Sequence, residues 1–285
     1  MKKVFSFIGV ATIISLSIIV SEKTSTVVKN IDNLMTEIKE KQQEYTVPPI
    51  NATIENNTII PGINGKKIDV QQTYNELKKI GKFNKKYIKY QQVAPEITIE
   101  NNYDKYIISG NKQKNSISLV FLLYKEDDIK QIKQLLKKTN TQATFFVDAT
   151  WLEQNSNQLK ELSNLGNTIG NLSYNNDYQH MEFTMMNNII RKETKQTHYY
   201  CYNKTENEQN LNKCKQTQHY TIRPNIIIKT NPLKEIKKQI VPGSIIELPI
   251  NDKTNNELEL IIRYINSKGY TIKNLEEHLS EKNNN

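Results

Sequence analysis

Alternating strand and helix patterns over residues 117–177 constrain the fold of this chain more than any other feature. The apolar run at 117–124 is followed by a helix pattern, and the apolar run at 143–148 is followed by a second one. A third strand pattern begins near Gly166. Because repeated strand–helix units bury their strands on both faces, they require a parallel sheet or a barrel.

Further strand–helix units continue the pattern to residue 279. Strand patterns occur at residues 224–228, 244–248 and 270–272, with helix patterns between them. No glycine-rich phosphate turn follows any of these strands, which argues against a doubly wound nucleotide-binding sheet. The fold class predicted for residues 113–279 is therefore α/β, as a distorted, incomplete (β/α) barrel.

The N-terminus carries the pattern of a membrane segment. Lys2 and Lys3 precede residues 4–20, which contain no charge and no proline. At 1.5 Å per residue this run spans roughly 26 Å, enough for a thin hydrocarbon core. A small-residue match at Ser15 and Ser17 lies inside the run, so an uncleaved signal anchor is favoured over a cleaved signal peptide. The prediction is a single-pass cell-membrane protein with an extracellular C-terminal domain.

Composition and turn signals divide the chain into six predicted segments. Apolar residues at Val28, Ile31, Met35 and Ile38 recur at helical spacing but span fewer than two heptads, which favours a spacer helix over a coiled coil. The predicted segments are a signal anchor (1–21), a helical stalk (22–45), a linker (46–59), a small α+β segment (60–112), the strand–helix domain (113–279) and a disordered tail (280–285).

The charge balance narrows the class of partner. The chain has 39 basic and 30 acidic residues, a net charge of +9. We interpret the lysines as scattered among glutamates, without arginine clusters and without interleaved aromatic and basic residues. This pattern predicts a solvated surface first and attraction to the cell envelope second, and it argues against a nucleic-acid partner.

Several motifs of the strand–helix domain resemble a known family. They lie at residues 118–121, 143–147, 151, 166, 169–171, 174, 242–246 and 269–270. In this order and spacing, residues 117–279 are similar to the polysaccharide deacetylase, or NodB-homology, domain of the carbohydrate esterases. The resemblance implies a distorted (β/α) barrel that removes N-acetyl groups from glycans.

The resemblance also implies a catalytic site that this sequence lacks. Family members hold a divalent metal such as zinc with one Asp and two His, and they use a second Asp as base and a late His as acid. Leu122 occupies the position of the base, and Leu123 that of the metal-binding Asp. Leu172 and Asn176 replace the two metal-binding His, and Pro249 replaces the acid. Leucine neither accepts a proton nor binds a hard cation, so we expect no bound metal and no catalytic residue.

Other side chains are candidates for a rearranged site or for glycan contacts. Asp177 and His180 lie three residues apart, and Asp148 and Glu247 end two strand patterns. The alternative interpretation is that these residues only form a solvent-exposed rim and have no catalytic role. The candidate cleft or glycan contacts are Asp148, Trp151, Tyr174, Asp177, His180, Tyr202 and Glu247.

Cys201 and Cys214 are the two cysteines of the chain, in a stretch interpreted as a polar loop. In an exported chain a disulfide between them is favoured over free thiols. The sequence thus predicts a membrane-anchored bacterial pseudoenzyme that binds cell-wall glycan or an envelope protein. The alternatives are an active metal-dependent glycan N-deacetylase with a rearranged site, which would hydrolyse a non-peptide C–N bond, and a purely structural envelope protein.

Overall fold

The computed structural model describes residues 33–283, which form two compact units. The smaller unit comprises residues 33–49 and 64–93, and the larger comprises 50–63 and 94–283. Over residues 33–283, no helix is long and apolar enough to cross a membrane. The predicted anchor (1–21), residues 22–32 of the predicted stalk and the last two residues of the predicted tail lie outside the described residues.

The helices and strands are numbered here in chain order. The helices are α1 (Asn33–Lys41), α2 (Val70–Leu77), α3 (Lys130–Lys138), α4 (Ala149–Asn164), α5 (Glu182–Glu193), α6 (Glu208–Gln216), α7 (Pro232–Gln239), α8 (Asp252–Ser267) and α9 (Leu275–His278). The strands are β1 (Thr53–Glu55), β2 (Thr58–Ile60), β3 (Gly65–Ile68), β4 (Tyr90–Val93), β5 (Tyr106–Ile107), β6 (Ser116–Leu123), β7 (Thr144–Val147), β8 (Thr168–Asn171), β9 (Tyr199–Tyr202), β10 (His219–Ile222), β11 (Ile226–Ile227), β12 (Ile245–Glu247) and β13 (Thr271–Ile272).

The smaller unit has its own apolar core. Strands β3 and β4 pair antiparallel, and α1 packs with α2. Met35 and Ile38 of α1 are buried in one cluster with Tyr74, Leu77 and Ile88. The described part of the predicted stalk is therefore a packed helix of this unit, because its apolar face is covered by neighbouring elements.

The larger unit is built on an open, curled sheet. Its strand order is β1-β2-β5-β10-β9-β8-β7-β6-β12-β11, with β13 paired to β6. All neighbours are parallel except β1 and β2. Among the described strands, β1 and β11 end this order without pairing to each other, so the predicted incomplete α/β barrel is confirmed. Strands β1, β2 and β5 come from the predicted linker and small α+β segment, so the unit boundaries differ from the predicted ones.

Successive residues of β6 face two different apolar clusters, as strand geometry requires. On β6, Phe121 and Leu123 belong to an outer cluster that also contains residues of the surrounding helices. Val120 belongs to an inner cluster, and Leu122 packs against the same cluster. Both faces of the central strands are thus buried, as expected for parallel strands covered by helices.

The predicted disulfide is present. Cys201 on β9 is bonded to Cys214 on α6, and both are fully buried beside Tyr178 and Phe183. The interpretation of this stretch as a polar loop was wrong: residues 199–202 form a strand, and 208–216 form a helix. The disulfide therefore fixes a helix to the outer side of the sheet.

The described part of the predicted disordered tail makes specific contacts. One carboxylate oxygen of Glu281 accepts backbone N–H groups from Gly62, at 2.7 Å, and from Ile99, at 3.3 Å. The ammonium group of Lys114 donates to the backbone oxygens of Ser280 and Lys282. Residues 280–282 are thus tied to the larger unit through backbone and side-chain hydrogen bonds.

His278 lies at the amino-terminal end of β6 and is fully buried. Its Nδ1 lies 2.8 Å from the hydroxyl of Ser116, and its Nε2 lies 3.1 Å from the carbonyl oxygen of Gly243. The neutral ring satisfies both contacts, since Nε2–H donates to the carbonyl and Nδ1 accepts from the hydroxyl. Burial lowers the pKa of His278 to about 4, and the charges of Lys114 and Lys273 add to this shift.

We expect His278 to make the fold sensitive to acid. Because the pKa is lower in the folded state than its usual value near 6.5, the unfolded chain binds more protons between pH 6.5 and pH 4. The stability is therefore fully present above pH 6.5 and falls by up to about 3 kcal/mol as the pH approaches 4. Urea unfolding from pH 7 to pH 4.5 should show a steeper loss for the natural chain than for His278→Gln. Parallel pH profiles for the two proteins would contradict this expectation.

Candidate functional site

Apolar side chains pack on the inner face of the sheet, at the place where the family resemblance would put a metal site. Leu122, at the end of β6, is half-buried and packs against the inner cluster, to which Leu172, just after β8, also belongs. Phe146 and Tyr202 lie in the same cluster, with ring centroids 5.6 Å apart. The Phe146 ring covers Gly170 so closely that a Cβ at residue 170 would lie 2.2 Å from a ring carbon. This end of the inner face is therefore packed with hydrocarbon.

Leu123 faces the opposite side of the sheet. It is fully buried in the outer cluster with Phe121, Val147 and Trp151. Strand β6 continues regularly through residue 123, so neighbouring side chains point to opposite faces. The two positions that carry paired aspartates in the family are therefore held apart in this chain, with one on each side of the sheet.

The loop after β8 has an unusual backbone. Ser173, Asn175 and Asn176 all have left-handed φ angles, of 55°, 50° and 61°. Asparagine tolerates this region, whereas for serine it is uncommon and costs of order 1 kcal/mol. The hydroxyl oxygen of Ser173 and the amide oxygen of Asn176 are buried without a hydrogen-bond partner among the described residues. The loop thus keeps a defined conformation although its predicted ligand position, Leu172, is apolar.

Asp148 has a structural role at the start of α4. One carboxylate oxygen accepts from the backbone N–H of Thr150, at 2.9 Å, and from its hydroxyl, at 2.6 Å. The other accepts from the backbone N–H of Asn175, at 2.6 Å. The side chain is fully buried and caps the helix, so its interpretation as a solvated rim residue was wrong.

Trp151 also lies away from the solvent. Its side chain is fully buried in the outer cluster, and its indole N–H donates to the backbone oxygen of Asp127 at 3.0 Å. A residue in this position cannot touch a glycan that approaches from solvent. The prediction of Trp151 as a glycan contact is therefore corrected: the residue packs α4 against the sheet.

Three polar side chains at the carboxyl ends of β6, β9 and β12 form a group that we call the rim: Tyr124, Tyr202 and Glu247. The hydroxyl of Tyr202 donates to the carboxylate of Glu247 at 2.5 Å. Burial raises the pKa of the half-buried Glu247, and its bond to Tyr202 and the charge of Lys204 oppose the shift. Tyr202 is itself only 2% exposed and lies in the inner cluster, so its prediction as a glycan contact is corrected, and the arrangement offers the half-buried carboxylate of Glu247 to a hydroxyl-rich ligand.

Tyr124 is the rim residue that the sequence did not single out. Its side chain is 38% exposed, and burial raises its pKa, with further contributions from the charges of Asp148 and Glu247. The family resemblance drew attention to the two leucines before it. The direct signal was its place at the end of an apolar strand run, where parallel strands carry their functional side chains.

Tyr174, Asp177 and His180 are exposed but do not form a metal site. The rings of Tyr174 and His180 stack with centroids 5.2 Å apart, and His180 pairs with Glu182 through Nδ1. Asp177 accepts the backbone N–H of Gln179 at 2.9 Å. Asp177 and His180, three residues apart, do not share a helical face, because helix α5 begins only at Glu182. Within residues 33–283, no three His, Cys, Asp or Glu side chains come together as possible metal ligands.

The residues present do not fit the metal that the family resemblance implies. Four of the five family positions carry leucine or proline side chains, which have no donor atom, and the remaining one offers only the amide of Asn176. The oxygens of Asp148 are occupied by three donors, and Glu247 is bonded to Tyr202. Hard divalent cations require several oxygen or nitrogen ligands, and this donor set does not supply them.

Comparison with known proteins shows which family the larger unit resembles. Residues 109–227 match the family model described as polysaccharide deacetylase. Together with the open α/β barrel and the substituted site, this match supports a degenerate polysaccharide deacetylase (NodB-type) domain in this chain.

One curated relative is similar in sequence. The uncharacterized protein YlxY of Bacillus subtilis (strain 168) is 34% identical over 154 residues, which cover 53% of this chain and 48% of the relative. The chain thus spans about half the length of the curated relative that it matches.

Solved structures extend the similarity. Wild-type BA3943 of Bacillus anthracis, a CE4 family pseudoenzyme, matches with a TM-score of 0.66 and 25% identity over 88% of this chain and 96% of that chain. A BA3943 mutant with restored enzymatic activity matches with the same TM-score and identity, over 88% and 99% of the two chains. PdaA of Bacillus subtilis, a family 4 carbohydrate esterase, matches with a TM-score of 0.52 and 21% identity over 81% and 96%, which is similarity of fold alone.

Proposed function

We propose that this protein is a catalytically inactive polysaccharide deacetylase-like protein of the bacterial cell envelope, which binds wall glycan through the rim of its sheet. The observation that carries the proposal is the apolar filling at Leu122, Phe146 and Leu172, where metal chemistry would need polar donors. Burying a divalent cation among hydrocarbon side chains without ligands is prohibitively costly. The similarity to a pseudoenzyme of the same family supports this proposal.

Glycan binding is proposed from the chemistry of the exposed side chains. Tyr124 and Tyr174 are both exposed, and aromatic faces pack well on the apolar faces of sugar rings. The half-buried carboxylate of Glu247, which accepts the hydroxyl of the buried Tyr202, is placed to accept hydrogen bonds from sugar hydroxyls. Asn175, next to Tyr174, donates its backbone N–H to Asp148, and the charge of Asp148 contributes to the raised pKa of the rim residue Tyr124.

The location at the membrane is part of the same proposal. Residues 4–20 form an uncharged apolar run preceded by two lysines, which supports a single-pass anchor with the C-terminal part outside the cell. A tethered glycan-binding domain would then remain next to its wall ligand.

Metal content and turnover test the inactive assignment. The full chain, purified in detergent and incubated with zinc, should hold no metal above background and should not release acetate from chitin oligomers or peptidoglycan. The physical reason is the missing donor set at the ends of β6 and β8. One tightly bound zinc together with turnover would overturn the proposal in favour of an active N-deacetylase with a rearranged site.

Binding measurements test the glycan assignment separately. Isothermal titration of the full chain with chitin oligomers should give a measurable affinity that Tyr124→Ala and Tyr174→Ala each weaken about fivefold, as expected for one lost aromatic contact of about 1 kcal/mol. Leu260→Ala is the matched control, since Leu260 is 53% exposed on α8. Equal affinities in all four proteins, or no binding to oligomers or peptidoglycan, would contradict a glycan site at this rim.

A further inference from the structure

We propose that residues 78–90 of the smaller unit form a docking surface for anionic phospholipid headgroups. This stretch, the basic strip, contains six lysines and no acidic residue: Lys78, Lys79, Lys82, Lys85, Lys86 and Lys89. Phe83, Tyr87 and Tyr90 lie between or beside them. The interpretation of the lysines as scattered, without interleaved aromatic residues, is therefore wrong for this stretch.

The basic strip is held in a fixed conformation. Asp69 caps α2 by accepting the backbone N–H of Gln72 at 2.9 Å, and Gly81, with φ of 78°, ends the helix in an open turn. Ile88 is buried in the core of the smaller unit, and Phe83 packs against the same core. These anchors turn the lysine side chains toward solvent, where all six residues are exposed.

The positive charge of the strip is not neutralised locally. The ion pairs within residues 33–283 include none of its six lysines. Lys78 and Lys79 follow the end of α2, where they complement the negative end of the helix dipole. Lys82, Lys85, Lys86 and Lys89 have no such role, so their charge is available to a partner.

Apolar and aromatic side chains on the same surface favour a membrane over a soluble polyanion. Ile80, Tyr87 and Tyr90 are 38%, 39% and 43% exposed among the lysines. Tyrosine is enriched where lipid headgroups meet hydrocarbon, and lysine stems reach along an apolar surface to place their charge at phosphate level. The strip has no arginine, which would offer the bidentate geometry of a specific phosphate site. Lysines among partly apolar side chains suit a diffuse anionic surface.

The length of the chain also allows the basic strip to reach the membrane, if residues 4–20 anchor the protein there; this part of the argument rests on the membrane location proposed above. Twelve residues separate position 20 from Asn33, and fully extended they reach at most about 40 Å. The smaller unit is the first part of the described chain after the anchor. Each lysine near an anionic surface should strengthen the association by a factor of about five.

The test uses the full chain reconstituted in vesicles of phosphatidylcholine alone or with added phosphatidylglycerol. Acetylation rates of individual lysines by a membrane-impermeant reagent are read by mass spectrometry. We expect Lys82, Lys85, Lys86 and Lys89 to react at least about fivefold more slowly on the anionic vesicles, and high salt to remove the difference. The matched controls are Lys234, Lys237 and Lys238, three exposed lysines of α7, whose rates should not change.

A triple variant, K85Q/K86Q/K89Q, tests the charge without touching the buried anchors. In it, the protection of Lys82 should be lost. Equal rates on the two kinds of vesicle would overturn the proposal. Equal protection on neutral vesicles by added soluble poly(glycerol phosphate) would also overturn it, in favour of a wall polymer. Vesicle flotation reports separately whether the chain is anchored, so failure of the anchor is distinguishable from failure of the basic strip.

Discussion

Leu123→Asp is expected to lower the free energy of unfolding by more than about 4 kcal/mol, while Leu122→Asp at the neighbouring position costs roughly half as much or less. Leu123 is fully buried in the outer cluster among Phe121, Val147 and Trp151, and no donor is there to receive a carboxylate. Leu122 is half-buried at the solvent end of the inner cluster. Urea unfolding of both variants, followed by circular dichroism, measures the difference.

A second pair of variants keeps this prediction testable if Leu123→Asp does not fold. Leu123→Ala should cost between 2 and 5 kcal/mol, the usual range for deleting a buried leucine side chain, because the outer cluster cannot close the cavity. Leu122→Ala should cost clearly less, since part of its side chain is already in contact with solvent. Similar losses at both positions would show that strand β6 does not separate the two side chains as its regular geometry implies.

The separation of Leu122 and Leu123 bears on whether the family residues, if introduced, could form a metal site in this chain. A mutant of the pseudoenzyme BA3943 has restored enzymatic activity. In this chain, an aspartate at residue 123 would point into the outer cluster and not toward Leu172, unless the end of β6 turned over. Substitution of the family residues alone is therefore expected to be insufficient here, because the strand register at this point directs the side chain away from the site.

The order of strands and helices was predictable over residues 117–171 and 224–279, where apolar runs and helix periods alternate regularly, but β9, α6 and β10 between them were missed. The face of the sheet to which each side chain points was not predictable. Strand β6 is buried on both sides, so its apolar run has no polar alternation to indicate which residues face inward. Leu122 and Leu123 consequently look equivalent in the sequence, and only the sheet distinguishes them.

At other residues, too, the contacts to residues distant in the sequence were the part that could not be predicted. The cap that Asp148 forms with Thr150 is local, but its bond to Asn175 and the burial of Trp151 depend on residues distant in the sequence, which spacing alone does not show. Strands β1, β2 and β5 pair with one another or with β10, more than a hundred residues later. Short strands with such distant partners carry little local pattern, which is why residues 46–112 were assigned to a linker and a separate segment.

Removing the disulfide is expected to destabilise the larger unit by about 3 kcal/mol, because the bond between Cys201 and Cys214 closes a loop of 13 residues in the unfolded chain. For a unit of this size the loss corresponds to a fall in Tm of roughly 6–12 °C. The double variant Cys201→Ala, Cys214→Ala should show this fall by circular dichroism without added reductant.

The oxidised natural chain should show the same fall in Tm only after incubation with reductant, since both sulfurs are fully buried beside Tyr178 and Phe183. The double variant, insensitive to reductant, is the control that separates loss of the bond from other effects of the reagent. An unchanged Tm in a chain whose two thiols are titrated as free would mean that α6 is held to β9 by packing alone.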